Sequence, residues 1–284
     1  MTRGVFVGLS TIDLVYEVDE FPLTDSKVAA LRQAVYAGGP ATNAAIAFGH
    51  LGGDAALVTA IGSHPLTALI RQELDIYNVR LLDLNPAWTE LPPISSVAVN
   101  PAGQRNVISA NAKRIREYSD QIDSELLDSA SILLVDGHLM KACLAWGRAA
   151  QERAIPVVLD GGSWKEETEL LLPHVATAIC SCDFHPPGCS TAEQVIEFLR
   201  SHGVSQIAIT AGSQPIRFVS AEVSGCIPVP PTDAVDTMGA GDIFHGAYSY
   251  YSAAGRSFPD ALSEAAKIAA NSCRFRGTRA WMNE

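Results

Sequence analysis

Between residues 132 and 210 short apolar runs alternate with amphipathic stretches. The spacing predicts strands over 132–136, 157–160, 177–180 and 206–210, separated by helices over 140–153, 164–172 and 191–202. Strands such as ILLV and VVL are apolar at every residue, so both of their faces are buried. Helical crossovers between such strands leave one economical solution, a mostly parallel sheet with helices on both faces. The N-terminal part fits the same scheme, with strands over 5–9 and 55–61 and helices over 41–51 and 66–77. Two helices, over 240–254 and 258–274, close the chain. The expectation is a three-layer α/β/α sandwich in one domain spanning residues 1–284, with no internal repeat or linker.

Two segments interrupt the alternation. Residues 14–36 and 94–112 carry period-two patterning without an intervening helix, as in Val97, Val99, Val107 and Ser109 around the turn Pro101-Ala102-Gly103. They read as hairpin strands outside the main sheet. A small β-sheet near the C-terminal ends of the main strands would lie where open α/β sheets bind ligands, so a lid is expected.

Composition excludes several classes of partner. The chain of 284 residues carries a net charge of -11 and no Lys/Arg block, which argues against nucleic acid. No apolar run reaches the ~20 residues that span a bilayer, and the first acid comes too early for a signal peptide. A cytoplasmic protein without a membrane partner is expected. The six cysteines are too sparse for a disulfide framework. Cys180, Cys182, His185 and Cys189 are close enough together to suggest zinc, but C-x-x-C pairs are missing and Pro186 and Pro187 stiffen the loop. A strand end followed by a loop is the expected structure there.

The most informative stretch is AVDTMGAGDIFHGAY, residues 234–248. Gly239 and Gly241 flank Ala240 just before a run of helix formers, so the backbone can turn sharply and aim several N–H groups at one point. Unpaired N–H groups and the partial positive charge of a helix N-terminus suit a phosphate or an oxyanion. Asp242, in the first helical turn, stands where a carboxylate can take a proton from a hydroxyl attacking phosphorus. A second stretch, YAGGPATNAAIAFGHLG (36–52), places Gly38 and Gly39 for close backbone approach, Pro40 at a helix start and Asn43 with a donor and an acceptor. Alone it reads equally as a helix start with no ligand. Asp13, after the first strand, can accept from two adjacent hydroxyls, or it can cap a turn.

Asp13, GGPATNAA and DTMGAGDIFHGA, in this order and at these separations, resemble the ribokinase-like (PfkB) family of carbohydrate kinases over essentially the whole chain. The resemblance implies a Rossmann-like three-layer domain with a β lid and ATP-dependent phosphorylation of a hydroxymethyl group, with Mg2+. Carried over by position, Asp242 is the general base, and the amides of Gly239, Ala240 and Gly241 form the anion hole. Asp13, Gly38, Gly39 and Asn43 hold sugar hydroxyls. Arg105, in GQRNV on the second lid strand, matches a position facing substrate or its phosphate, and reads equally as a solvated arginine. On the nucleotide side, ITAGSQP keeps Thr210 and Gly212 of a T-x-G-x-x-G segment, with Pro215 in place of the second glycine. Ala266, Ala270, Asn271 and Gly277 correspond to the adenine wall. Asp236 corresponds to a residue that orders the anion loop or contributes to a monovalent cation (K+) site.

The chain departs from the family at three places. Where relatives carry N-x-x-E for magnesium waters it reads CSCDFHPPG, leaving Ser181 and Asp183 as partial substitutes. The substrate-closing loop is shortened to IGSHPL (61–66), and the chain stops soon after Trp281. The details DIFHGA, GGPAT and VVLDGG incline toward ketose kinases, ketohexokinase-like or sulfofructose-kinase-like, with fructose or a derivative as acceptor. A nucleoside kinase, with Tyr16, Phe21 and Tyr36 available for stacking, and a catalytically weak binding protein are the alternatives. Exposed lid edges, which seek partners, and the resemblance together imply a homodimer through the lid.

Overall fold

The computed structural model describes residues 2–110, 115 and 118–284. Nine strands form the main sheet. β1 (Arg3–Val7) pairs in parallel with β4 (Asp54–Thr59) on one side and β8 (Ile132–Val135) on the other. β5 (Arg80–Asp83) extends one side, while β9 (Val157–Gly161), β10 (Thr177–Ser181) and β11 (Gln206–Ala211) continue the other, all in parallel. Two antiparallel strands, β12 (Gln214–Val219) and β13 (Ser224–Ile227), finish that edge. β8 and β9 are buried at every residue, as fully apolar strands between helical layers must be.

On one face lie α1 (Pro40–His50), α2 (Thr67–Ile76), α7 (Ala240–Ala253) and α8 (Phe258–Ser272), around a core that includes Phe6, Phe48, Leu57 and Tyr248. On the other, α4 (Met140–Glu152) and α6 (Ala192–Ser201) cover Val5, Val7, Leu133 and Leu159, with Trp146 fully buried. The short helices α3 (Ser124–Asp128) and α5 (Thr168–Leu171) complete the set. The helix expected over 164–172 shrinks to α5 and a following 3-10 turn, because Glu167 enters it in the left-handed conformation (φ 64°). This is the ribokinase-like α/β sandwich that the motifs imply.

A second sheet holds β2 (Thr11–Glu17), β3 (Arg32–Gly38), β6 (Ile94–Val99) and β7 (Arg105–Ser109), in the order β3-β2-β6-β7. It begins earlier than expected, at Thr11 instead of residue 14, so Asp13 belongs to the lid and not to the loop trailing β1. The turn at residues 8–10 carries the chain from one sheet to the other, and β2 is paired on both sides from Thr11 or Ile12 onward. Only the ends of the 14–36 segment are strand, and residues 111 and 112 of the 94–112 segment lie outside the described residues. One lid face carries Val15, Val97 and Val99, packed on Met238 of the glycine-rich turn.

Candidate active site

Parallel strands deliver their following loops to one edge of the sheet, and the candidate residues converge there. α1 starts at the glycine pair. Gly39 has φ 96°, and a Cβ at this position would lie 2.3 Å from the Leu9 carbonyl oxygen, so only glycine fits the turn. A Cβ on Gly38 would sit 1.9 Å from an Asp13 carboxylate oxygen, which shows how closely the lid carboxylate approaches the start of α1. Asp136, buried at the end of β8, ties this turn down by accepting from the N–H groups of Leu9 (2.8 Å) and Ala41 (3.3 Å).

Asn43 projects from the first turn of α1 and is 3% exposed. Its Nδ2 donates to Oδ2 of Asp242 at 2.7 Å, and its Oδ1 accepts from Arg279 Nη1 at 2.9 Å. Asp242 occupies the first turn of α7, after Gly239 in the left-handed conformation (φ 68°). A Cβ on Gly241 would meet nothing within 4 Å, and Gly241 is exposed, so the helix N-terminus faces open space there, while the Ala240 N–H donates to the Thr237 carbonyl oxygen at 3.3 Å. Asp236 fixes the approach to this turn, accepting from Met238 N at 2.9 Å and from Gly277 N at 2.8 Å. Together the two bonds tie the turn to the segment around Gly277.

Burial pushes the Asp242 carboxyl up to about 7, and the nearby Asp160 and Asp13 carboxylates add to the rise. The Asn43 hydrogen bond and His245 oppose it. Asp13 is also raised, chiefly by burial, against hydrogen bonds from Thr11 (2.6 Å) and Ser95 and the charge of Arg279.

Arg279 was not foreseen from sequence. It is 6% exposed, and its guanidinium reaches Glu73 Oε1 (2.7 Å), Asn43 Oδ1 and the Ala37 carbonyl oxygen (2.7 Å). Glu73 in turn accepts from Ala37 N at 2.6 Å. One side chain near the C-terminus thus joins α2, β3 and α1, and aims the Asn43 amide at Asp242. Asp160 and His245, both beside Asp242, were likewise missed.

The remaining candidates lie further out. Arg105 opens β7 and is exposed. By register it shares a rung with Val99 and Glu17, on the lid face of Asp13 but four residues further along. Tyr16 points to the opposite face from Asp13, since side chains alternate along β2. Tyr36 is on the Asp13 face but its hydroxyl is packed on Gly277, where a Cβ would lie 2.4 Å away. Thr210 ends β11 at the same sheet edge, donating to the Cys180 carbonyl oxygen (3.4 Å), and Gly212 turns into β12 with φ 59°. Ala266 and Ala270 are buried on α8, and Asn271 is half-buried.

Asp183 is exposed at the end of the 180–189 segment nearest β10, where its N–H donates to Ser181 Oγ at 3.2 Å. Cys180 is buried and Cys182 exposed, as a strand end followed by a loop requires. No group of three or more His, Cys, Asp or Glu side chains among the described residues is arranged to hold a metal ion. Among these residues, no helix is long and apolar enough to cross a membrane.

Known proteins share both the architecture and the sequence. The chain is 24% identical over 290 residues to a ribokinase of Arabidopsis thaliana, covering 96% of this chain and 76% of that protein. It is 23% identical over 298 residues to a deoxyribokinase of Salmonella typhimurium, covering 96% and 93%. The solved structure of Arabidopsis thaliana ribokinase complexed with ribose and ATP has the same fold, with a TM-score of 0.77 at 22% identity over 97% of this chain and 93% of that one. The model of the pfkB family carbohydrate kinases matches residues 1–284, and with it the chain belongs to that family, whose members are phosphotransferases acting on an alcohol group.

Proposed function

We propose that the protein is an ATP-dependent sugar kinase that transfers the γ-phosphate to a hydroxymethyl group, with Asp242 as general base. The observation that carries this reading is the 2.7 Å bond between Asn43 and Asp242, which joins the polar end of the crevice to the open helix N-terminus. An acceptor hydroxyl held by Asp13 and Asn43 would lie against a carboxylate whose proton affinity is matched to neutral pH. A base poised near the working pH takes up the hydroxyl proton most effectively as the oxygen attacks phosphorus. The N–H groups of the Gly239–Ala240–Gly241 turn would receive the charge that develops on the transferred group, the Ala240 N–H exchanging its Thr237 carbonyl partner (3.3 Å) for it.

The nucleotide would extend from this turn toward Thr210 and Gly212, with the α8 residues Ala266, Ala270 and Asn271 and the nearby Gly277 flanking its base. Mg2+ uses few protein ligands when phosphates and waters supply the rest, so Ser181 and Asp183 would serve as outer partners to the waters of an ion that neutralises phosphate charge. Arg105, on the Asp13 face, would reach the distal end of the sugar. A ketose such as fructose or a derivative is the favoured acceptor, on the wording of the DIFHGA, GGPAT and VVLDGG motifs. The lid edge supports a homodimer, since Val107 is 57% and Ile108 79% exposed on a strand with one unpaired edge in the monomer.

The test is coupled ADP release with Mg-ATP across a panel of ketoses, pentoses and nucleosides. At least one sugar is expected to stimulate turnover, and Asp242→Asn should abolish that stimulation. No stimulation by any sugar above the variant's background would refute the reading.

A further inference from the structure

His245 lies one turn beyond Asp242 on α7 and is 5% exposed. Its two ring nitrogens face two carbonyl oxygens, Nδ1 to Gly241 at 2.7 Å and Nε2 to Ile179 at 3.1 Å. Carbonyl oxygens only accept. A neutral imidazole has one donor and one acceptor nitrogen, so in this cage it would press a lone pair against a carbonyl. Both contacts are satisfied together only when both nitrogens carry protons. Buried Asp160 supplies the counter-charge: its Oδ2 has no hydrogen-bond partner and lies 3.4 Å from Nδ1. Asp160 Oδ1 accepts from Gly162 N at 3.1 Å, which fixes the carboxylate in place at the end of β9.

On this geometry, and resting on the reading of Asp242 as the base, we infer that His245 is a positioning residue, held as an imidazolium by Asp160 behind the anion turn. Its charge acts on the reaction by two routes. By donating to the Gly241 carbonyl it polarises the Gly241–Asp242 peptide, whose N–H is one of the unpaired first-turn donors. It also opposes Asp160 electrostatically at Asp242, so the pair sets the pH at which the base ionises. The other titratable groups around this cluster are the Cys180 thiol on β10, raised by burial and by Asp160, the Lys165 ammonium that opposes that rise, and Asp13 across the crevice. None of the three bonds to the ring, which leaves Asp160 as its own partner.

Two measurements test the inference, and one does not depend on activity. In long-range 1H–15N spectra of the wild-type protein, with the His245 resonances assigned by their loss in His245→Gln, both ring nitrogens are expected to remain protonated at pH 7.5. A neutral tautomer there would overturn the inference whatever the enzyme does. The second is the acid limb of the pH–rate profile. His245→Gln should move it to higher pH by roughly half to one unit, since it removes a positive neighbour of Asp242, and in Asp160→Asn the same spectra should show a His245 ring that has lost one of its two protons. No shift in His245→Gln, or a His245 ring still doubly protonated in Asp160→Asn, would also overturn it. If Asp242→Asn retained turnover, the base reading itself would fail, and the spectra would still decide the charge of His245.

Discussion

The two sheets of this molecule solve opposite problems. In the main sheet, β8 and β9 bury every residue, and the helices on both faces leave each strand little freedom of register. In the lid, β7 is exposed at every residue and β3 is exposed or half-buried along most of its length. The lid's buried face is small, three valines resting on Met238 of the glycine-rich turn. The body therefore holds Asn43 and Asp242 rigidly, while the lid carries Asp13 and Arg105 on a surface that contributes little to overall stability. Changes in the body or at its seam should cost activity or stability heavily. Changes in the lid should act on sugar affinity and assembly.

The largest effect is expected from Asp242→Asn. Loss of the base should lower kcat about a thousandfold with the fold intact, measured by ADP release and circular dichroism. A decrease of less than tenfold would move the chemistry away from the body. Next is Arg279→Met, which leaves Glu73 buried without its cation and frees the Asn43 amide. Removing one partner of a buried pair costs about 3–5 kcal/mol, so Tm should fall by roughly 6–10 °C. A change within 2 °C would show that the seam is not where the body gains its rigidity.

A smaller and opposite effect comes from the pH dependence of stability. The folded state holds the Asp242 proton up to about pH 7, whereas an unfolded aspartate releases it near 4. The stability linked to that proton is present at acid pH and is lost as pH rises through about 7. Asp242→Asn should remove this loss, gaining about 1–2 kcal/mol over the wild type at pH 8 and little at pH 4, as read from denaturant midpoints. An equal gain at both pH values would mean that the carboxyl is not perturbed. The smallest stability change belongs to the lid. Ile108→Asp should alter unfolding free energy by less than about 0.5 kcal/mol, yet it should convert a dimer to a monomer in sedimentation and raise the sugar KM. An unchanged mass would remove the lid edge as the assembly surface.

The same contrast explains what could be read from the sequence. β8 and the start of β9 announce themselves because ILLV and VVL are apolar throughout, and Gly39 and Gly239 mark turns that no other residue can make. β12 and β13 were not anticipated, because QPIRFV and SGCI mix polar and apolar residues in a way that resembles a loop. The lid start was placed three residues late, because TID beside a glycine and a serine reads as a turn until β3 and β6 are seen on either side of it. Arg279 gives no local signal at all. In RFRGTRAW it looks like one basic residue among several, and only the fold surrounds it with Glu73, Asn43 and the Ala37 carbonyl. His245 and Asp160 each sit in a motif, DIFHGA and VVLDGG, but their pairing spans 85 positions of chain and becomes visible only when α7 lies across the end of β9.

The central claim is that Asn43 and the anion turn together poise Asp242 as the base at the seam between body and lid. The pH dependence of kcat with a turned-over sugar, compared between the wild type and Asp242→Asn, tests it most directly. The account predicts a wild-type rate that falls tenfold per unit below about pH 7, and a residual variant rate that is flat over the same range. A variant that kept the wild-type acid limb would contradict it, because the group being titrated would then be some residue other than Asp242.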